Sequence, residues 1–210
     1  TFGEGISVIP GNLFRDCSAL EKIAVPNTVE SIGSHAFYQC ESLKAVTFGK
    51  SLKRIDSFAF QGCPLTELTL PDGLEILGRE AFRNCQSLAS VYIPASLREV
   101  VNGSAIVGPF GDCPALKTVT FGEGIPAVPA HLFCGCPGLE EIAVPDSVTA
   151  IEANAFYQCG NLKAAAFGKN LKEIGRSAFQ GCAFMELRLP DGLEILGREA
   201  FRNCQSLASV

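Results

Sequence analysis

Residues Val25 to Val46 read VPNTVESIGSHAFYQCESLKAV, and the spacing of the apolar residues in this stretch decides the fold. Val25, Val29, Ile32, Phe37, Cys40, Leu43 and Val46, followed by Phe48 as the next counterpart of Val25, stand 4, 3, 5, 3, 3, 3 and 2 residues apart. Neither a helical period nor strict alternation runs through that set, so one long amphipathic helix and one long strand are both disfavoured. The chain has to turn several times within 23 residues and return to an equivalent point. The pattern then repeats. Cys17, Cys40, Cys63, Cys85, Cys113, Cys136, Cys159, Cys182 and Cys204 are separated by 23, 23, 22, 28, 23, 23, 23 and 22 residues. A phenylalanine stands three residues before each of them, from Phe14 and Phe37 through to Phe201. Self-similarity at such a period marks a solenoid, in which one coil cannot bury its apolar face until neighbours stack on it.

Within a unit, segments such as LEKIAVP and LKAVTFG show β-branched alternation closed by Pro or Gly, which predicts a short strand stacking into a parallel sheet. The VxxI step, as in VESI, reads as a short extended or turn segment. The AFxxC piece reads as a single helical or 3₁₀ turn with its ring pointing inward. The expected fold class is therefore an α/β solenoid of about nine coils, nearly 45 Å long at ~4.8 Å per coil. Units such as VPNTVESIGSHAFYQCESLKAV resemble the leucine-rich repeats of the BspA-like family over essentially the whole chain. That resemblance implies a right-handed superhelix with a parallel sheet on the concave face and short or helical turns on the convex side. It also implies a bacterial surface or secreted protein acting in adhesion.

A longer period lies above the first. Residues 1–91 align without gaps to 120–210 with 61 identities, and PDGLEILGREAFRNCQSLASV occurs unchanged at Pro71–Val91 and Pro190–Val210. One solenoid domain over 1–210 is expected, made of two near-duplicate blocks joined by 92–119. A five-residue insertion falls near 101–108, and the repeats at both ends read as incomplete. Open ends of that kind would favour end-to-end self-association. Where the blocks differ, Ala165 replaces Val46 between Ala164 and Ala166, which suggests an underfilled coil.

Several functions are excluded or disfavoured by composition. A net charge of −5 with only 17 thinly spread basic residues argues against nucleic acid as a partner. No apolar run approaches the ~18 residues of a membrane span, and the first residues lack the basic start and apolar stretch of a signal peptide. The cysteine ladder reads as buried reduced thiols filling the turn, since side chains in parallel register lie too far apart for regular bridging. Cys134 is off the beat. It stands where the first block has Arg15 and is expected to face outward, as an incidental or a reactive surface thiol. No metal site is expected, because CGC at Cys134–Cys136 lacks both zinc spacing and a second pair. Two histidines, His35 and His131, do not assemble a triad, and Asp72, Glu75 and Glu80 fall at solvated repeat positions. Neither an enzyme nor a cofactor is expected.

Binding is the remaining class. Residues between the inward ones of each strand face out of the sheet. Among them Thr47, Glu67, Thr69, Tyr92, Thr118, Thr120, Glu186 and Arg188 form the candidate ligand face, centred on Thr69, Tyr92, Thr118 and Thr120. A plain sheet surface is the competing reading. The inserted loop is a second candidate, through Asn102, Ile106 and Val107, the latter two either folding back on the coil or marking a contact. The ligand would be a protein or glycan outside the cell. A spacer carrying some other functional domain is the alternative.

Overall fold

The computed structural model describes residue 2, residues 5–101 and residues 107–210. The chain winds as a parallel-strand solenoid, and all but its last two coils carry two short strands. One ladder joins Val8–Ile9, Ser31–Ile32, Arg54–Ile55, Ile76–Gly78 and Glu99–Val101 in that order, and resumes as Ala127–Val128, Ala150–Ile151, Glu173–Ile174 and Ile195–Leu196. These are the VxxI segments. Each was expected only as an extended or turn step, yet their register is regular, with Ile9, Ile32, Ile55, Leu77 and Val100 paired in succession. The second ladder carries the expected strands. Lys22–Ala24 pairs with Ala45–Thr47, Glu67–Thr69 with Ser90–Ile93, Ser90–Ile93 with Thr118–Phe121, and Glu141–Ala143 with Ala164–Ala166, all parallel.

Nine phenylalanines from Phe14 to Phe201 stack one on the next through eight turns. Ring centroids lie 4.8 to 5.6 Å apart, and neighbouring planes diverge by no more than 23°. The seven inner rings are wholly buried. A second set, Phe2, Phe48, Phe121 and Phe167, meets this column edge-on at Phe14, Phe60, Phe133 and Phe179. Edge-to-face contact suits the opposite charge of ring rim and ring face.

The AFxxC turn departs from the helical expectation, and there is no helix among the described residues. In Gly33–Cys40 the N–H groups of Ala36, Tyr38 and Cys40 bond three residues back, to Gly33, His35 and Phe37. Those of His35, Phe37 and Gln39 instead reach Ser57, Ala59 and Gln61 in the next coil. A helix would keep all of these donors to itself; here every second one holds two coils together. The alternation requires left-handed residues at fixed intervals, and His35 and Gln39 have φ of 58° and 54°. Counterparts recur down the stack, at Asn12 and Asp16, Glu80 and Asn84, and Asn154 and Gln158. Asn and Asp tolerate this region because their short polar side chains bond locally, whereas Phe58, at φ 63°, is unusual there.

The cysteines lie inside, as the spacing suggests, and none is in a disulfide. Their position has a polar cause as well. Sγ of Cys40, Cys63, Cys113 and Cys159 sits 3.1 to 3.2 Å from the carbonyl oxygen of the phenylalanine one coil earlier. Each thiol thus donates across the coil boundary, which a methyl group in its place would not do.

The insertion interrupts only one of the three columns. The VxxI ladder stops at Glu99–Val101 and restarts at Ala127–Val128, while Phe82, Phe110 and Phe133 stack on and Ser90–Ile93 pairs with Thr118–Phe121 along four residues. Val46 and Ala165 are both only partly buried, so the exchange lies at the margin of the core and not in its centre.

Candidate functional site

The strand ladder places the predicted face in register. Thr69, Tyr92 and Thr120 are direct neighbours across three strands, and so are Glu67, Ser90 and Thr118. Thr47, Glu67 and Thr69 share one shallow depression of about 420 Å³ with Lys44, Ala45 and Pro71. Thr118 lines another, of about 320 Å³, with Lys117, Glu141, Ala143 and Ala166. Tyr92 stands between them, and its hydroxyl donates to Asp72 Oδ1 at 2.9 Å. That bond fixes the ring and favours the protonated phenol, raising the Tyr92 pKa. Glu186 and Arg188 are exposed on the same strand position further along, where Glu186 bridges to Ser209, apart from the Thr69–Tyr92–Thr120 centre. Lys117 and Lys163 flank Glu140 at 3.5 and 3.6 Å, an exposed charge row beside the face.

Of the loop candidates, Asn102 and Ile106 lie outside the described residues. Val107 folds back on the coil. The adjoining Gly108 donates its N–H to the carbonyl of Cys134 at 2.9 Å, and a Cβ on Gly108 would fall 2.1 Å from the His131 carbonyl oxygen. This return of the insertion corrects the expectation for Cys134. The residue is buried, not outward-facing, and burial pushes its thiol up to about 12, which leaves little nucleophilic thiolate. Its counterpart Arg15 has no such cover and lies over the Tyr38 ring at 4.8 Å.

Glu80 is a second correction, since it is buried and not solvated. Its carboxylate lies 2.8 Å from Arg83 and 3.5 Å from Arg79, and Arg83 reaches on to Asp112 at 2.7 Å. The row ties the coil of Phe82 to that of Phe110 across the insertion. Sequence reading also missed an aromatic and cationic row on the outer turns of the first block. His35 stacks on Phe58 at 4.7 Å and meets Tyr38 at 5.4 Å, while Arg79 lies over Phe58 at 4.8 Å. Part of the signal was available, because His35 and Phe58 stand one coil apart, each two residues before its core phenylalanine.

Both histidines occupy outer turns, and burial lowers the pKa of each. His131 Nδ1 is buried without a hydrogen-bond partner among the described residues. No three His, Cys, Asp or Glu side chains among the described residues converge to hold a metal ion, and no helix there is long and apolar enough to cross a membrane.

Two parallel ladders around a stacked aromatic column define a repeat solenoid of the leucine-rich class. The chain belongs to the BspA type leucine rich repeat family, whose profile matches residues 7–106 and 107–208. Its fold is similar to that of a leucine-rich repeat protein from Eubacterium ventriosum, at 22% identity and a TM-score of 0.62. That match covers 98% of this chain and 57% of the other, so the chain spans little more than half the length of that relative. A leucine rich repeat protein of T. pallidum is similar at 25% identity and a TM-score of 0.58, over 90% of this chain and 75% of the other. A comparison with curated proteins gives no match.

Proposed function

We propose that the chain is a non-enzymatic recognition module, displayed outside the cell, that binds a macromolecular ligand through its exposed strand face. The observation that carries this reading is the continuous outward row Thr69–Tyr92–Thr120 beside Glu67–Ser90–Thr118 on hydrogen-bonded strands. Its depressions are wide and shallow, which suits a protein or glycan surface better than an enclosed small substrate. Tyr92 supplies the anchor. Tyrosine is among the residues that dominate binding energy, and here its ring is held in place by Asp72 before any ligand arrives.

The test is binding of the purified chain to a panel of extracellular-matrix proteins and surface glycans, followed by Tyr92→Ala and Thr118→Lys. Binding by at least one panel member, weakened tenfold or more by either substitution, is expected. Absence of any binding, or binding indifferent to both substitutions, overturns the reading. Surface display is checked separately by protease shaving of intact producing cells, which should remove the chain.

A further inference from the structure

One joint between coils is bonded differently from the rest, and it lies one coil beyond the extra residues. Across the insertion itself, the coils of Phe82 and Phe110 are joined along both ladders, Ile76–Gly78 to Glu99–Val101 and Ser90–Ile93 to Thr118–Phe121. Phe82 and Asn84 also donate to the carbonyls of Pro109 and Gly111, and Arg83 reaches Asp112. At the next joint, between the coils of Phe110 and Phe133, both ladders lapse. Among the described residues no pairing joins Glu99–Val101 to Ala127–Val128, or Thr118–Phe121 to Glu141–Ala143, whereas every other joint keeps at least one ladder. The sequence supplies a cause for the first gap. Glu30, Lys53, Glu75 and Arg98 each donate their N–H to the matching carbonyl of the coil before, and Pro126 stands at that place with no N–H to give. Lys44, Ala89, Lys117 and Lys163 donate in the same way ahead of the second ladder, to Glu21, Thr66, Ala89 and Glu140, and no corresponding bond runs from Glu140 to Lys117.

On the outer turn, Gly108 donates to Cys134 and Asp112 to Gly135, each at 2.9 Å, whereas the following joint is crossed from His131, Phe133 and Gly135. The Asp112 bond is also out of step. Gln39 and Gln158, at the equivalent place, reach the residue directly after the next phenylalanine, Gln61 and Gln180, while Asp112 reaches one residue further. The Phe110 and Phe133 rings diverge by 23°, the widest angle in the column. Lys117 and Glu140 span the joint at 3.5 Å, but both side chains are more than half exposed, and such pairs contribute little. The backbones meet closely at Gly138, where a Cβ would fall 2.5 Å from the Leu116 carbonyl oxygen, so the joint is packed but sparsely bonded. We propose that the solenoid is divided here into two cooperative units, one running to Phe121 and the other from Gly122, which open independently of each other. In a stack held by nearest-neighbour interfaces, cooperativity fails first where the interface carries the fewest bonds. The Thr69–Tyr92–Thr120 row lies wholly in the first unit, and Glu186 and Arg188 lie in the second.

The experiment is native-state hydrogen exchange of the whole chain, followed peptide by peptide in a matched pair of variants. Leu52 and Leu171 are counterparts in the two blocks, and both are wholly buried. Leu52→Ala should speed exchange of the hydrogen-bonded amides between Ser31 and Phe121 tenfold or more, and of those between Gly122 and Leu196 less than twofold. Leu171→Ala should do the reverse. If either variant fails to fold, Ile32→Val and Ile151→Val, also buried counterparts, should show the same split at smaller size. Acceleration of both halves alike by either member of a pair would mean a single cooperative unit and overturn the division. A boundary at any other joint would overturn it as well, above all one between the coils of Phe82 and Phe110, where the extra residues enter the chain.

Discussion

At the scale of single residues, the core consists of two kinds of side chain with different roles. Phe82 is wholly buried between Phe60 and Phe110, 5.2 and 5.6 Å from them. Phe82→Ala should therefore cost ~3–5 kcal/mol, whereas Glu75→Ala, at an exposed position, should stay within ~0.5 kcal/mol. Urea unfolding of the two variants checks this, and equal losses would contradict the inward assignment. The cysteines add a dependence on pH. Burial raises the thiol pKa of Cys85, Cys134, Cys136, Cys159 and Cys182, Cys134 to about 12. In the unfolded chain the same groups ionise near ~8.5. Above that pH the unfolded state holds fewer protons than the folded one, so stability falls as pH rises towards 12, and below it these thiols give no dependence. The urea midpoint should drop between pH 8 and pH 10.5, with a shallower slope in Cys159→Ala. The positions of the nine repeating phenylalanines and of the cysteines three residues after them were legible from a count of residues. What the count could not show was the environment added by a neighbouring coil. Cys134 was misplaced because the Val107–Gly108 segment returns onto its coil, and Glu80 because it joins Arg79 and Arg83 of its own coil in an ion-pair row that reaches Asp112 of the next.

At the scale of the element, the strands followed from alternation and the outer turns did not. A period-three contact such as Phe37 to Cys40 is compatible with a helical turn and with a run of tight turns. The choice depends on where the other donors go, and that is set between coils by bonds such as Phe37 N–H to the Ala59 carbonyl at 2.7 Å. Close approach of coils also explains particular glycines. A Cβ on Gly49 would lie 2.2 Å from the Pro26 carbonyl oxygen, a backbone atom that cannot turn aside, while Gly160 has open space. Gly49→Ala is expected to destabilise by ~1–3 kcal/mol and Gly160→Ala to change stability by less than ~0.5 kcal/mol. Thermal unfolding of the pair decides it. The strand face was legible as two outward columns with Thr69, Tyr92, Thr118 and Thr120 at the centre, though not the pairing of their strands. Register brings Thr69, Tyr92 and Thr120 together and leaves Glu186 and Arg188 beyond them.

At the scale of the whole molecule, stability is a sum over coil-to-coil contacts, as in other repeat proteins. The repeated segment PDGLEILGREAFRNCQSLASV shows how much a neighbour contributes. In both occurrences its turns take the same backbone, with φ of 55° and 59° at Glu80 and Asn84 against 64° and 60° at Glu199 and Asn203. Yet Leu77 is fully buried under the following coil, while Leu196 is 55% exposed. Local sequence sets the shape of a coil, and stacking makes its core. The measurement that tests this most directly is thiol labelling of the native, unreduced chain with Ellman's reagent at neutral pH. Partly exposed Cys17 and Cys204 should react quickly, and the eight buried cysteines only when the chain is unfolded. Rapid reaction of all ten thiols in the folded chain, or a gain in mass on reduction that reveals disulfides, would contradict a shared dry column.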